Sequence, residues 1–394
     1  MRLGNRSKAG AIMPKYTLIS SDDHFTEPPD AWQSRLPAKL KERGPKVVRT
    51  KEGDGWVWEG RPWTSLGLGV QAGREFKDYR LTGATFEDIR KGTWDPGERL
   101  KDMDMDSTWA TVLYPNTGLS LPMIQDQALH EACVRAYNDF CADFCKRDSS
   151  RLIGLGVMPR GGVDKALAEL RRIGKLGMRG AVLQALPSSG TWPTKEDERF
   201  WAEAQEMGIP LHVHLKLQGV TPSFSPQDSA KLMNPNLQLV LRGYALIAQG
   251  CQDAFAGLIF SGVMERYPRL KWVAVEGGIG WIPYYLERWD GVWERQRHWA
   301  KLNLPMKPSD YWRRQVWATF EEDNIGIDLA VRHPEYVSAE NLMWACDYPH
   351  GDTTWPNSVK IVQKQFKDVP AAAMRKMTWE NVAKLYKIAA PEKK

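Results

Sequence analysis

Eight apolar runs of strand length recur along this chain with helix-length stretches between them, and that alternation restricts the fold more than any other feature. The runs are Leu18–Ile19 at the start, then Trp109–Tyr114, Arg151–Met158, Gly180–Gln184, Ile209–Leu215, Lys271–Glu276, Gln315–Phe320 and Asn341–Asp347. Between them, residues suited to helix cover Gly97–Asp106, Gln125–Lys146, Val163–Leu176, Lys195–Met207, Asn236–Tyr267, Trp281–His298 and Ile325–Arg332. Two more helices are expected after Asp347. Parallel strands need crossovers of helix length, so eight such units predict an α/β fold, a (β/α)8 TIM barrel. One barrel domain is expected over residues 15–390, with a loose extension over residues 1–14.

Residues 25–95 break the pattern, because Trp, Gly, Pro and charges mix there without a period apart from a helical fragment at Ala38–Arg43. A stretch so long is usually functional rather than a plain connection. It is expected to be a long insertion after the first strand, an excursion over the active-site face.

Composition excludes several classes. Hydrophobic residues at 42% and charged residues at 26% suit a globular chain and not a disordered one. No apolar run approaches the roughly 20 residues of a membrane span. The basic start, Met1 to Lys8, lacks the apolar core and cleavage site of a secretory signal. The net charge of +6 comes from scattered residues, so no nucleic acid partner is expected. Cys133, Cys141, Cys145, Cys251 and Cys346 form no C-x-x-C pair, which argues against both a disulfide framework and a thiolate zinc site. A reduced, cytoplasmic protein with a small-molecule substrate is expected, assembled as a homo-oligomer or else a hetero-oligomer. The 18 tryptophans suit ordinary packing, with some available to wall an apolar pocket.

In such barrels the chemistry sits at the C-terminal strand ends. The first run leads into Asp22 and His24, which lie two apart and so share one side of a strand, with Glu27 before a proline pair. The fifth carries His212 and His214, the sixth ends in Glu276 before Gly277-Gly278, and the eighth ends in Asp347, followed by His350. Any one of these is unremarkable. Together they suit a divalent cation, since carboxylate and imidazole hold zinc, iron or manganese alike. Asp347 and Glu276 end apolar runs, where an ionised carboxylate is costly without a partner. Alternatives stay open for the others. His212 is a ligand or a core histidine, Glu27 a ligand or a turn residue, His350 a substrate-facing or an exposed loop group. Cys346 reads as core, and Arg179 as a surface arginine or a clamp for a substrate carboxylate.

Asp22-x-His24 with Glu27-Pro28, His214, the block Phe260 to Lys271 running into Glu276-Gly-Gly-Ile-Gly-Trp-Ile-Pro283, and Cys346-Asp347-Tyr-Pro-His350 together resemble the amidohydrolase superfamily. The branch they resemble includes aminocarboxymuconate semialdehyde decarboxylase and the resorcylate decarboxylases. The resemblance spans residues 17 to about 385. It implies a cation on Asp22, His24, His214 and Asp347. Two departures stand out. Asp22 replaces the first histidine of the usual H-x-H, and Glu276 stands where the decarboxylases close the sixth strand with histidine. The fourth run also lacks the lysine of the binuclear hydrolases, which leaves one ion, or two bridged by Glu276.

The leading expectation is a metal-dependent hydrolase acting through a metal-activated water, with Asp347, His350 and Glu276 as catalytic groups. The alternative is a non-oxidative decarboxylase of an aromatic or enol-type acid. An Fe or Mn/Fe dimetal oxygenase comes third, beside a non-catalytic partner subunit.

Overall fold

The computed structural model describes residues 17–188, 190, 192–217 and 237–389. The expected extension at 1–14, and Asn236 at the start of one expected helix, lie outside the described residues. The first strand, β1 (Leu18–Phe25), carries Asp22 and His24 at its C-terminal end, as expected. After the excursion come β5 (Thr108–Pro115), β6 (Leu152–Gly154), β7 (Gly156–Val157), β8 (Ala181–Leu183), β9 (Leu211–His214), β10 (Trp272–Val275), β11 (Val316–Phe320) and β12 (Leu342–Trp344).

These strands form two parallel sheets, β1-β5-β6 and β12-β11-β10-β9-β8-β7. Two seams close them into one barrel. The third run is interrupted at Leu155, whose N–H donates to Leu113 O (3.3 Å), while Gly156 N–H donates to Gly180 O (3.0 Å). At the other seam Asp347 N–H donates to Asp22 O (2.9 Å), His24 N–H to Tyr348 O (2.6 Å) and Ser21 Oγ to Trp344 O (2.9 Å). The fold is therefore the expected (β/α)8 barrel.

Alternate strand residues point inward, among them Val112, Tyr114, Val182, Val273, Val275 and Met343. The others pack outward against the helices. Val382, Tyr386 and Ile388 from the C-terminal helix Asn381–Tyr386 and its end join the inner cluster. Arg179, which precedes β8, donates to Tyr386 O and Lys387 O at 3.0 and 3.3 Å. It therefore ties down the C-terminal segment at the N-terminal strand ends, and it is not a substrate clamp. The helices carry the caps that their sequences provide. Asp95 accepts from Glu98 N–H at 2.8 Å at the start of Pro96–Met105, a cap worth about 1 kcal/mol.

The excursion differs from expectation. Within it, β2 (Lys46–Thr50), β3 (Gly53–Trp58) and β4 (Arg61–Ser65) form an antiparallel sheet. The turn explains it, since Glu59 (φ 50°) and Gly60 (φ 72°) both adopt positive φ, as a two-residue hairpin loop requires. Buried Trp56 packs edge-on against Trp32 with centroids 5.0 Å apart. Further along, Ala72 N–H donates to Pro349 O (3.0 Å) and Tyr79 Oη–H to Gly351 O (2.7 Å). Those bonds tie the excursion to the loop that follows β12.

Candidate metal centre

The site grows out of strand register. His214 ends β9 and lies opposite Val275 of β10, so Glu276, the next residue, emerges beside it, with Oε2 3.1 Å from His214 Nε2. On β1 the pairing with β5 slips between Ser20 and Asp23, a bulge of the kind that re-aims side chains next to active sites. Asp22 and His24 both reach the cluster, His24 Nε2 lying 3.4 Å from Asp22 Oδ1 and 3.3 Å from His214 Nε2. Asp347 comes in from beyond β12, its Oδ1 3.6 Å from His24 Nε2. Leu215, Glu276 and Asp347, each just past a barrel strand, hold φ of 63°, 59° and 55°. That left-handed backbone costs a non-glycine residue about 1–3 kcal/mol and gathers at functional sites.

Asp22, His24, His214 and Glu276 each offer a ligand atom within 4.8 Å of all the others, and His24, Glu276, Asp347 and His350 form a second such group. Asp347 thus belongs with His350, and Glu276 takes its place beside the two strand histidines. His350 stacks on His24 with centroids 3.9 Å apart and brings Nδ1 to 2.9 Å from Asp347 Oδ1. Its Nε2 is buried without a hydrogen-bond partner among the described residues.

The residues fit a divalent cation. Both carboxylate oxygens of Asp22 are buried and without a hydrogen-bond donor among the described residues, as is Nδ1 of His214. His24 Nδ1 lies 2.8 Å from Pro115 O, which assigns its proton there and turns the Nε2 lone pair toward the cluster. Burial, then Glu276 and Asp347, holds the Asp22 carboxyl well above the usual range, and burial, then Asp347, does the same to Glu276. Burial, followed by His350, pushes the His214 imidazole down to about 3. A cation favours ionised carboxylates and neutral imidazoles, so it relieves the repulsion among the carboxylates and uses the histidines as they stand.

Two expected ligands lie elsewhere. Glu27 accepts backbone N–H groups from Asn116, Thr117 and Gly118 at 3.2, 2.9 and 2.9 Å, so it organises the turn after β5. Burial pushes its carboxyl up to about 7. His212 lies deeper in the barrel, with Nδ1 2.6 Å from Tyr114 Oη and its ring stacked on Tyr386. Two residues along a strand is one layer of side chains, too far for His212 to join His214. Gly180 makes its room, since a Cβ there would meet His212 Nε2 at 2.5 Å. Cys346 is buried, as expected, with Sγ 3.5 Å from Ser358 Oγ.

Sequence reasoning missed Glu321, directly after β11, whose Oε1 is buried without a partner among the described residues. Burial, then Asp347, pushes its carboxyl up to about 8. The signal was present, as a glutamate ending the seventh strand run. It also missed buried Asp23, held by Ser20 Oγ at 2.8 Å and Thr111 Oγ1 at 2.6 Å.

Two substitutions test these placements. Glu276→Gln keeps shape and removes charge, so it is expected to lower metal content measured by elemental analysis; a second-sphere base would leave the metal in place and slow turnover about 10²-fold. Glu27→Ala orphans two buried N–H groups and a half-buried one, at about 1–3 kcal/mol for each buried group before relaxation, so chemical denaturation should show about 3 kcal/mol of lost stability. Its metal content should match wild type.

The family described as Amidohydrolase matches residues 77–388, well over half of the chain. A gamma-resorcylate decarboxylase of Polaromonas sp. is 22% identical over 68% of this chain and 82% of its own length. The Decarboxylase orsB of Emericella nidulans is 24% identical over 56% of this chain, which spans 65% of that protein. Among solved structures, the amidohydrolase map2389c from Mycobacterium avium subsp. paratuberculosis superposes with a TM-score of 0.72 at 20% identity, over 94% of this chain and 99% of that one. A dihydroxybenzoic acid decarboxylase from Polaromonas sp., solved with bound manganese and 2-nitroresorcinol, does so with a TM-score of 0.62 at 17% identity, over 96% and 99%. With the barrel closed and ligand-type side chains gathered at its C-terminal strand ends, the chain belongs to the amidohydrolase family.

Proposed function

We propose that this protein is a metal-dependent, non-oxidative decarboxylase of a small aromatic or enol-type carboxylic acid. One observation carries the reading: His350 lies stacked on His24, backed by Asp347 at 2.9 Å, with Nε2 unpartnered among the described residues. A histidine so held stands in for the one that Glu276 replaces on the sixth strand. The decarboxylase relatives support the same chemistry, and the manganese of the Polaromonas structure supports manganese as the first cation to try, ahead of zinc or iron.

Asp22, His24, His214 and Glu276 would hold the cation, which supplies Lewis acidity toward the carboxylate and a neighbouring oxygen of the substrate. Burial lowers the His350 imidazole and Glu276 opposes that shift; once protonated, with its charge balanced by Asp347, His350 delivers a proton from Nε2 to the ring carbon that bears the carboxylate. The bond to the carboxylate then breaks, its electrons restore the ring, carbon dioxide leaves, and His350 regains a proton from water. His24 does not compete for that proton, because its Nδ1 is held by Pro115 O and its Nε2 lone pair is turned toward the other ligand-type residues.

Hydrolysis remains the second reading, favoured by Glu276. An ionised glutamate accepts protons and cannot give one, which suits a base acting on water. Incubating manganese-loaded protein with hydroxybenzoic acids, and separately with their esters and amides, separates the two. Carbon dioxide release from the acids supports decarboxylation. Cleavage of esters or amides without carbon dioxide overturns it in favour of hydrolysis.

A further inference from the structure

Beneath the cluster lies a charge that the chemistry above does not use. Arg99, on the helix Pro96–Met105, is only 1% exposed and is the one arginine among the largest fully buried side chains. A buried guanidinium is costly unless an opposite charge and acceptors meet most of it. Here Nη2 donates to the backbone carbonyl of His24 and Nε donates to Gly92 O at 2.7 Å, while Nη1 has no hydrogen-bond partner among the described residues and faces the charge of Asp23, with Oδ2 4.0 Å away. Its plane sits 4.3 Å from the ring centre of Tyr348.

The four partners belong to three parts of the site. His24 is a cluster residue, Asp23 lies between Asp22 and His24, Tyr348 follows Asp347, and Gly92 belongs to the excursion. Asp23 Oδ1 also accepts from Tyr348 N–H at 3.2 Å, and Tyr348 Oη donates to Asp102 Oδ2 at 2.6 Å. One planar cation thus joins the bulged end of β1, the strained turn after β12 and the excursion. Only a fork satisfies two carbonyls in two directions while its face lies on a ring.

We propose that Arg99 is a positioning residue for the metal centre, setting the separation of His24 and Asp347 through the His24 carbonyl and the Tyr348 ring. The inference rests on the cation reading above. Groups that orient metal ligands are worth 10–100-fold in affinity, so Arg99→Met is expected to weaken manganese binding by about that factor. Arg99→Lys should fall between, since an ammonium keeps the charge without the fork.

The test is manganese titration of the full-length chain by calorimetry, at a temperature where circular dichroism shows each variant folded. The control is Arg90→Met. Arg90 joins the same network through Asp102, with Nε at 3.2 Å, and stacks on Trp355 at 4.3 Å, without a bond to His24. Arg90→Met should lower Tm and leave manganese affinity within about threefold of wild type. Folded Arg99→Met or Arg99→Lys protein with wild-type affinity overturns the proposal, as does an equal loss in Arg90→Met. If Arg99→Met does not fold, Arg99→Lys decides alone. Wild-type protein that takes up no cation rejects the metal reading and this proposal together, whereas wild-type uptake unaffected by Arg99 variants rejects this proposal only.

Discussion

Replacing His214 with alanine is expected to strip the cation and abolish turnover while the barrel stays folded. His214 Nε2 lies 3.3 Å from His24 Nε2 and 3.1 Å from Glu276 Oε2, so it faces two of the other three ligand-type residues directly. Without it, Asp22, Glu276 and His24 cannot close a four-ligand set on one side. A catalytic cation contributes several kcal/mol to the transition state, so its loss lowers the rate on the order of 10³-fold or more. The fold rests on other contacts, namely the seams at Leu155 and at Asp347, and the inner and outer apolar clusters. The substitution also removes one of the groups that depress the His24 imidazole, behind burial and His350. Elemental analysis beside a thermal melt checks the expectation, and full metal occupancy in a folded variant removes His214 from the ligand set.

His350→Asn is expected to act in the opposite way, with metal content kept and turnover reduced by about 10²–10⁴-fold, the usual worth of a positioned acid. The asparagine fills similar space beside Asp347 but carries no titrating proton. In deuterium oxide the wild-type enzyme should place one deuteron on the product carbon, and the variant should lose that step more than it loses substrate binding. Turnover near wild type would move the acid to another group. A fall in metal content comparable to that of the His214 variant would make His350 a ligand, as its place in the second four-residue group allows.

Much of this architecture was legible before any coordinate. The eight strands were readable because a parallel strand buried on both faces needs an unbroken apolar run, and the helices between them repeat at helical spacing. The cluster was readable because carboxylates and histidines at the ends of apolar runs have few reasons to be there. Asp22, His24, His214, Glu276, Asp347 and His350 all meet. The hairpins of β2 to β4 were less visible, since Gly, Trp and charged residues mask the period and the only plain sign was the Glu59-Gly60 turn.

What the sequence by itself determined is the set of strands and the residues at their ends, both of which follow from local periodicity. Only the tertiary structure decided how those residues divide. Asp347 and Glu276 are 71 positions apart in the chain, and which of them stands closer to His214 depends on the β9–β10 register and on the left-handed turns after β10 and β12. Glu27 and His212 looked like ligands because residue type cannot say whether three backbone N–H groups or a tyrosine hydroxyl is waiting. Arg99 lies 75 positions from the carbonyl that it holds, and neither spacing nor period signals that contact. Long-range pairing of this kind is set by barrel closure, which no local pattern encodes.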